Sequence, residues 1–427
     1  MPAFDVDGQA RSAFFAPWPT DDWLIGCRGG QHAVLGLRGK RDDWGDAFFD
    51  RQGWQRFELG KPREDETQRR FDKGGNVLAS PPLSGYPHGR LVVGRSLQPD
   101  LKDFFRRQKV QTGPGGKLLE IDTDWLQVGH VDEILAFGRA PESPGFRVVL
   151  PDFEAGLGLL DSVPADRAIF YAQGSAEAVG IVADAGPRFL EVAAPGLPSG
   201  QWCYVRMVRG TGAGQVARIR NVQGRRMVID RVWDLRGADV SGVVSAARAG
   251  SCEMMPIWFE TPDATSRFLA VEGTQMWLDS TGAEFPAIVS AGELARDPAL
   301  RRTARECAAR LSNKSGGVPE TLEALGIGTD DVLRLPVLFS SDPGGAEAGA
   351  LVPNPINLVS LDRSVVLLRP FGPRSDTTDD DSDVFAKAWR AVLNRGGLRP
   401  VLLDGWDTLH RRGGGAHCGS NVIRKKG

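Results

Sequence analysis

The 427-residue chain has no uninterrupted apolar run of the roughly 18 residues a membrane-spanning helix needs, so none is expected. An excess of one charge is missing as well. The 52 Lys and Arg nearly balance 54 Asp and Glu, for a net charge of −2, which argues against a dedicated nucleic-acid or membrane-surface protein. Cysteine is scarce. Its five positions, 27, 203, 252, 307 and 418, are widely spaced and include no CxxC pair, which fits a reducing compartment and neither a disulfide scaffold nor a zinc site. The opening MPAFDVDGQARSAFF lacks a basic flank and an apolar centre, so no secretory signal is expected and the expected location is cytoplasmic. What the chain does have is 53 glycines and 28 prolines, implying many turns and short elements, and enough length for two or three domains.

Texture changes twice along the chain. Residues 1–70 are weakly patterned; from about 90, buried-strand runs such as RLVVG (90–94) and FRVVL (146–150) alternate with amphipathic pieces such as DLKDFFRRQ (100–108), an α/β signature. From 176 to 284, β-type segments are punctuated by Gly or Pro every 8–12 residues, as in a small all-β unit. GTGAGQ (210–215) reads as a hairpin turn there, since no Lys-Ser/Thr follows to make a phosphate loop. Helical periodicity returns at about 285. DPALRRTARECAARLSN (297–313) aligns Leu300, Ala304, Cys307, Ala308 and Leu311, which makes Cys307 a core thiol. PVLF (336–339), SVVLLRPF (364–371) and RPVLLDGW (399–406) read as strands and VFAKAWRAVL (384–393) as a helix. The expected organisation is an α/β domain in two parts, 1–175 and 285–427, interrupted by a β insertion at 176–284. SDTTDDDSD (375–383) lacks the central Gly and terminal Glu of an EF-hand loop and reads as a solvated acidic loop.

Two stretches carry chemistry. In HRRGGGAHCGSNVIRKKG (410–427), Cys418 follows three glycines and lies among Arg411, Arg412, Lys425 and Lys426; backbone freedom and positive charge suit a reactive thiolate. In WLQVGHVDEILAF (125–137), an extended run would turn His130 and Asp132 to one side at the end of a strand, with Val131 in the core. Thiol, imidazole and carboxylate are the parts of covalent cysteine catalysis. A carboxylate beside the nucleophile suits a cationic substrate, and a guanidinium matches carboxylates through paired N–H donors.

These blocks resemble the catalytic domain of the protein-arginine deiminases, within the guanidine-modifying superfamily. GGNVLASPP (74–82), HGRLVVG (88–94), PGFRVVLPD (144–152), VPNPINLVSLD (352–362) and RPFGPR (369–374) have counterparts in the same order, so the resemblance covers about 71–175 and 285–427. It implies a five-module α/β propeller of pseudo-fivefold symmetry, with Cys418 as nucleophile and His130 as general acid and base. Asp132 would hold two guanidinium nitrogens, and Arg412 would contact the substrate backbone, with Gly414 near the pocket wall. The implied activity is conversion of peptidyl-arginine to peptidyl-citrulline and ammonia.

The departures bear on function. The family's second guanidinium-binding aspartate belongs near RDDWGDAFFDRQGW (41–54); aligning on Trp44, a substrate-side residue in this scheme, puts Ala47 there, while a one-residue gap restores Asp46. The resemblance also makes calcium possible, but Leu78 replaces a glutamate ligand and Asp50 is the remaining candidate, so weak or absent calcium dependence is expected. The β insertion lies outside the family pattern and is a candidate surface for an unknown partner. Two alternatives stay open: a deiminase or amidinotransferase acting on a small guanidine, and an inactive deiminase-like binding module.

Overall fold

Short apolar runs pair here into small sheets instead of one large one. A computed structural model describes residues 64–108, 117–141, 145–165, 286–341, 347–373, 383–403 and 413–421, with 375, 405, 409 and 410. It also describes shorter segments at 23–28, 31–36, 49–58, 168–172, 179–184, 189–192, 203–209, 216–223, 226–233, 253–258, 267–271 and 274–278. The described chain is mixed α/β. None of its helices is long and apolar enough to cross a membrane.

Four three-stranded sheets share one plan, in which a central strand runs antiparallel to one neighbour and parallel to the other. Gln31–Gly36 lies between Trp23–Arg28 and the parallel Gln55–Glu58. Leu91–Gly94 lies between Val77–Ala79 and the parallel Leu119–Ile121. Phe146–Asp152 lies between Ala136–Arg139 and the parallel Val332–Pro336. Ser364–Leu368 lies between Val359–Leu361 and the parallel Arg399–Leu403. A parallel neighbour needs a crossover, and in the last case the helix Val384–Arg395 supplies it. A further hairpin joins Phe339–Ser341 to Ala348–Ala350.

Three of these sheets contribute to one large core, while Val34 and Phe49 beside the Gln31–Gly36 sheet form a separate small cluster. Phe146, Phe153, Phe339, Phe385 and Trp389 are among the largest fully buried side chains of the large core, each contributing roughly 1.5–3 kcal/mol by leaving water. The helix Pro298–Leu311 forms where its periodicity predicts: Asp297 caps it by accepting from Ala299 N at 2.8 Å, Pro298 opens it, and Leu300, Thr303, Ala304, Cys307 and Leu311 are buried. Its Cys307 thiol is pushed up to about 12, chiefly by burial, which fits the core role read from the sequence.

Among the described residues, the strands between Val179 and Trp258 pair only with one another, in the closed order Val179–Asp184, Phe189–Val192, Arg226–Trp233, Val216–Gln223, Cys203–Arg209, Glu253–Trp258. Antiparallel pairing of Cys203–Arg209 with Val216–Gln223 is what a turn at GTGAGQ requires, although 210–215 lie outside the described residues. Ala168–Ala172 and Pro286–Ser290, on either side of this ring, pair with each other, so the chain leaves and returns through neighbouring strands.

Two expected strands differ. PVLF spans a break: one strand ends at Pro336, whose carbonyl takes the Trp389 indole N–H at 2.8 Å, and another begins at Phe339 in a different sheet. WLQV is not a strand. Trp125 Nε1 donates to the Asp122 carbonyl at 3.0 Å and Leu126 N to the Thr123 carbonyl at 3.0 Å, and these local bonds curl the segment into a turn.

Candidate active site

Gly129 takes φ +83°, a left-handed conformation that favours glycine, and a Cβ there would press on the Phe71 ring at 2.7 Å. After it His130 is extended and Val131–Glu133 form one 3₁₀ turn, so the expected strand end is corrected to a capped helical turn. The Glu133 side chain accepts from His130 N at 3.0 Å, and this local bond closes the turn where a strand would have needed a partner. Val131, Ile134 and Leu135 are fully buried and anchor it. His130 and Asp132 still meet, with Nδ1 and Oδ1 4.0 Å apart and both side chains buried.

His130 Nε2 lies 2.8 Å from the Arg70 carbonyl oxygen, which can only accept. That contact assigns the proton of the neutral ring to Nε2 and leaves Nδ1, on the Asp132 side, as the basic nitrogen. Arg70 is itself held: Nη1 donates to the Gln127 carbonyl and to Glu347 Oε2, both at 2.8 Å, and Nη2 donates to Glu347 Oε1. The hydrogen bonds to Glu347 raise the Arg70 pKa and lower that of Glu347. Burial pushes the Glu133 carboxyl up to about 7, with neighbouring His130 acting in the opposite direction.

Cys418 arrives on a loop with little regular structure. Gly413 turns it at φ +79°, Gly414 N donates to the Leu409 carbonyl at 3.2 Å, and Cys418 ends buried. Its Sγ lies 3.6 Å from Asp132 Oδ2 and 3.1 Å from Asn357 Nδ2. Asn357 Oδ1 accepts from His417 N at 3.0 Å and from Cys418 N at 3.1 Å. His417 Nδ1 lies 2.8 Å from Asp132 Oδ2, so a second imidazole shares the carboxylate. Gly75 closes the other side: a Cβ on it would lie 2.5 Å from His130 Nδ1 and 2.9 Å from Asp132 Oδ2.

The fold therefore gathers Cys418, His130 and Asp132, and Gly414 sits half-buried in the nucleophile loop. Trp44, Asp46, Ala47 and Arg412 lie outside the described residues. Asp50 is exposed and pairs with Arg56 at 3.2 Å, while Leu78 packs against the apolar core. Of the acidic stretch 375–383, most lies outside the described residues, but Asp383 is buried as the helix cap, pushed up to about 6 by burial. Among the described residues, no group of three or more His, Cys, Asp and Glu is arranged to hold a metal ion.

Asn357, Gly75 and the Arg70–Glu347 pair escaped the sequence reading. The three-residue step from His130 to Glu133 is a capping-box spacing and could have flagged the turn. Asn357 and Gly75 lie in segments already matched to the family, but nothing in their spacing marks them.

A model of the protein-arginine deiminase family matches residues 52–178 and 308–426, more than half of the chain. The curated protein-arginine deiminase type-3 of Rattus norvegicus is 39% identical over 98 residues, covering 20% of this chain and 14% of that protein. Type-4 of Homo sapiens is 39% identical over 93 residues, 19% of this chain and 13% of that protein. The longer alignment with type-4 of Mus musculus is 21% identical over 373 residues, 83% of this chain and 38% of that protein. This chain thus spans well under two thirds of the length of these relatives. Between them the matched segments contain the described cysteine, imidazole and carboxylate, and the chain belongs to the protein-arginine deiminase family.

Proposed function

We propose that the chain hydrolyses peptidyl-arginine to peptidyl-citrulline and ammonia through a covalent intermediate on Cys418. The observation that carries this reading is the meeting of Sγ and Asp132 Oδ2, 286 positions apart in sequence and 3.6 Å apart in space, with His130 and His417 on the same carboxylate. Asp132 accepts guanidinium N–H bonds, and one of its oxygens, Oδ1, is buried and accepts no hydrogen bond among the described residues. Asp46 supplies the second carboxylate, Arg412 holds the substrate backbone, and Trp44 and Gly414 border the guanidinium.

The chemistry follows from the groups present. The Cys418 thiolate bonds to the guanidinium carbon, giving a tetrahedral adduct; a substrate cation offsets the thiolate's proximity to Asp132. With His130 entering the reaction as imidazolium, protonated at both ring nitrogens, one C–N bond then breaks and the Nδ1 proton goes to the leaving ammonia, which leaves the ring neutral. The same nitrogen takes one proton from water as the water oxygen bonds to that carbon; the S–C bond then breaks to return the thiolate, and the second water proton passes to solvent to leave the neutral ureido group. Calcium is left out of these steps, since Leu78 is an apolar side chain packed against the core and Asp50 pairs with Arg56, so these residues do not form a hard-cation donor set.

The five-module propeller belongs to the same proposal, supported by four sheets that repeat a hairpin plus a parallel third strand. The closed ring of strands at 179–258 is then an inserted unit, a candidate surface for a partner, and the protein acts in the cytoplasm. A citrulline assay on arginine-containing peptides tests the activity, with Cys418→Ser as control. Equal turnover of free arginine and peptide would move the reading to a small-guanidine enzyme. No citrulline at any calcium level would leave an inactive binding module.

A further inference from the structure

We infer that Asn357 is the residue that sets the nucleophile, clamping the loop through its side-chain oxygen and donating its amide N–H to Cys418 Sγ. The inference rests on the reading of Cys418 as nucleophile. Asn357 is buried, and its own segment is held nearby by Asn354, whose Oδ1 accepts from Ile356 N at 3.0 Å. Its Oδ1 takes two consecutive backbone N–H groups, those of His417 and Cys418, and its carbonyl takes His417 N at 3.1 Å. An oxygen is required where two N–H groups converge, so the side-chain orientation is fixed by the network. The other end of the amide is then NH₂, and it points at sulfur from 3.1 Å.

That contact answers an electrostatic problem. Asp132 Oδ2 is 3.6 Å from the same sulfur, and a carboxylate at that distance opposes a thiolate. Among the described residues, the titratable groups set against this carboxylate are His417, at Asp132 Oδ2, and His130, at Asp132 Oδ1. The Asn357 N–H is a fixed neutral donor that favours the thiolate whatever the state of those imidazoles. The loop is shaped to receive it: a Cβ on Gly415 would lie 2.5 Å from Asn357 Oδ1, so Gly415 lets the loop backbone come within reach.

The test uses the full chain and reads the thiol directly, so it does not depend on the deiminase reading. Cys418 alkylation by iodoacetamide is followed against pH by peptide mass spectrometry in the parent and in Asn357→Asp, which keeps the accepting oxygen but replaces the donor with a charge. We expect alkylation at neutral pH to fall about tenfold or more, and the pH profile to move up by about one unit, the shift that corresponds to losing a hydrogen bond to a charged group. With substrate, kcat should fall about 100-fold at little-changed KM, since the amide touches sulfur and not guanidinium. Gly415→Ala, which displaces the clamp from the loop side, should move the profile in the same direction; it keeps the test open if Asn357→Asp fails to fold by thermal melting. An unshifted alkylation profile in a folded variant overturns the inference, even if kcat falls. A shifted profile in a protein that makes no citrulline would uphold it and sink the deiminase reading alone.

Discussion

Two cysteines of similar burial, Cys307 and the proposed nucleophile Cys418, lie in very different surroundings. Cys307 and Cys418 are 2% and 4% exposed. Cys307 sits on a helix face among Leu300, Thr303, Ala304 and Leu311, where burial, chiefly, pushes it up to about 12. Cys418 sits in a glycine loop where Asn357, Asp132 and His417 replace the aliphatic neighbours. Burial is shared. The difference is polar groups delivered from other parts of the chain, and those are what give a buried sulfur chemistry.

The sharpest way to break the comparison is to exchange roles. Cys418→Ser should abolish citrulline formation, a loss of about 10⁴-fold or more of the kind seen when a nucleophile is removed. Cys307→Ser should instead lower stability by roughly 1–3 kcal/mol through a buried hydroxyl, with unchanged activity per folded molecule. Denaturant unfolding and turnover on the two variants check both; an active Cys418→Ser ends the nucleophile assignment.

Gly75→Ala probes how tightly the reactive side is built. Its Cβ would fall 2.5 Å from His130 Nδ1, and displacing the imidazole by about 1 Å should lower kcat about 100-fold while leaving the melting temperature near the parent's. Wild-type kcat in this variant would mean that His130 does not handle protons from Nδ1.

Glu133 gives a stability test beside the site. Its folded carboxyl titrates at about 7 against 4.5 in the unfolded chain, so the folded state binds the extra proton between these values. Stability is therefore fully present below about pH 4.5 and falls as pH rises to about 7, by roughly 3 kcal/mol. Asp383, raised to about 6, acts in the same direction at lower pH, so the diagnostic interval is above 6. Glu133→Gln keeps an oxygen for His130 N and should flatten that interval in denaturant unfolding. An unchanged slope would assign it elsewhere. The smallest expected effect is that of calcium: chelation should change turnover less than about twofold, since Leu78 and Asp50 supply no donor set. A strict requirement would point to ligands outside the described residues.

Much of the frame was legible locally. The helices at 298–311 and 384–395 follow from a 3.6-residue period with Asp caps, and the strands at 91–94, 146–152, 364–368 and 399–403 from short apolar runs. The turn at His130 was misread as a strand end because apolar content alone does not separate an extended run from one curled by local bonds. Asn357 was invisible for a different reason: an Asn among prolines reads as a loop residue, and its four contacts with 417 and 418 span about 60 positions.

By itself, then, the sequence marked the helices at 298–311 and 384–395 and the strands at 91–94, 146–152, 364–368 and 399–403, and singled out Cys418, His130 and Asp132 as candidates, because period and residue chemistry are local properties. Only the tertiary structure decided that His417 shares Asp132, that Gly75 abuts His130, that Arg70 fixes its tautomer, and that Asn357 holds the Cys418 loop. Each of these contacts joins segments between 55 and 285 positions apart, and such contacts form only after the sheets have brought the segments together.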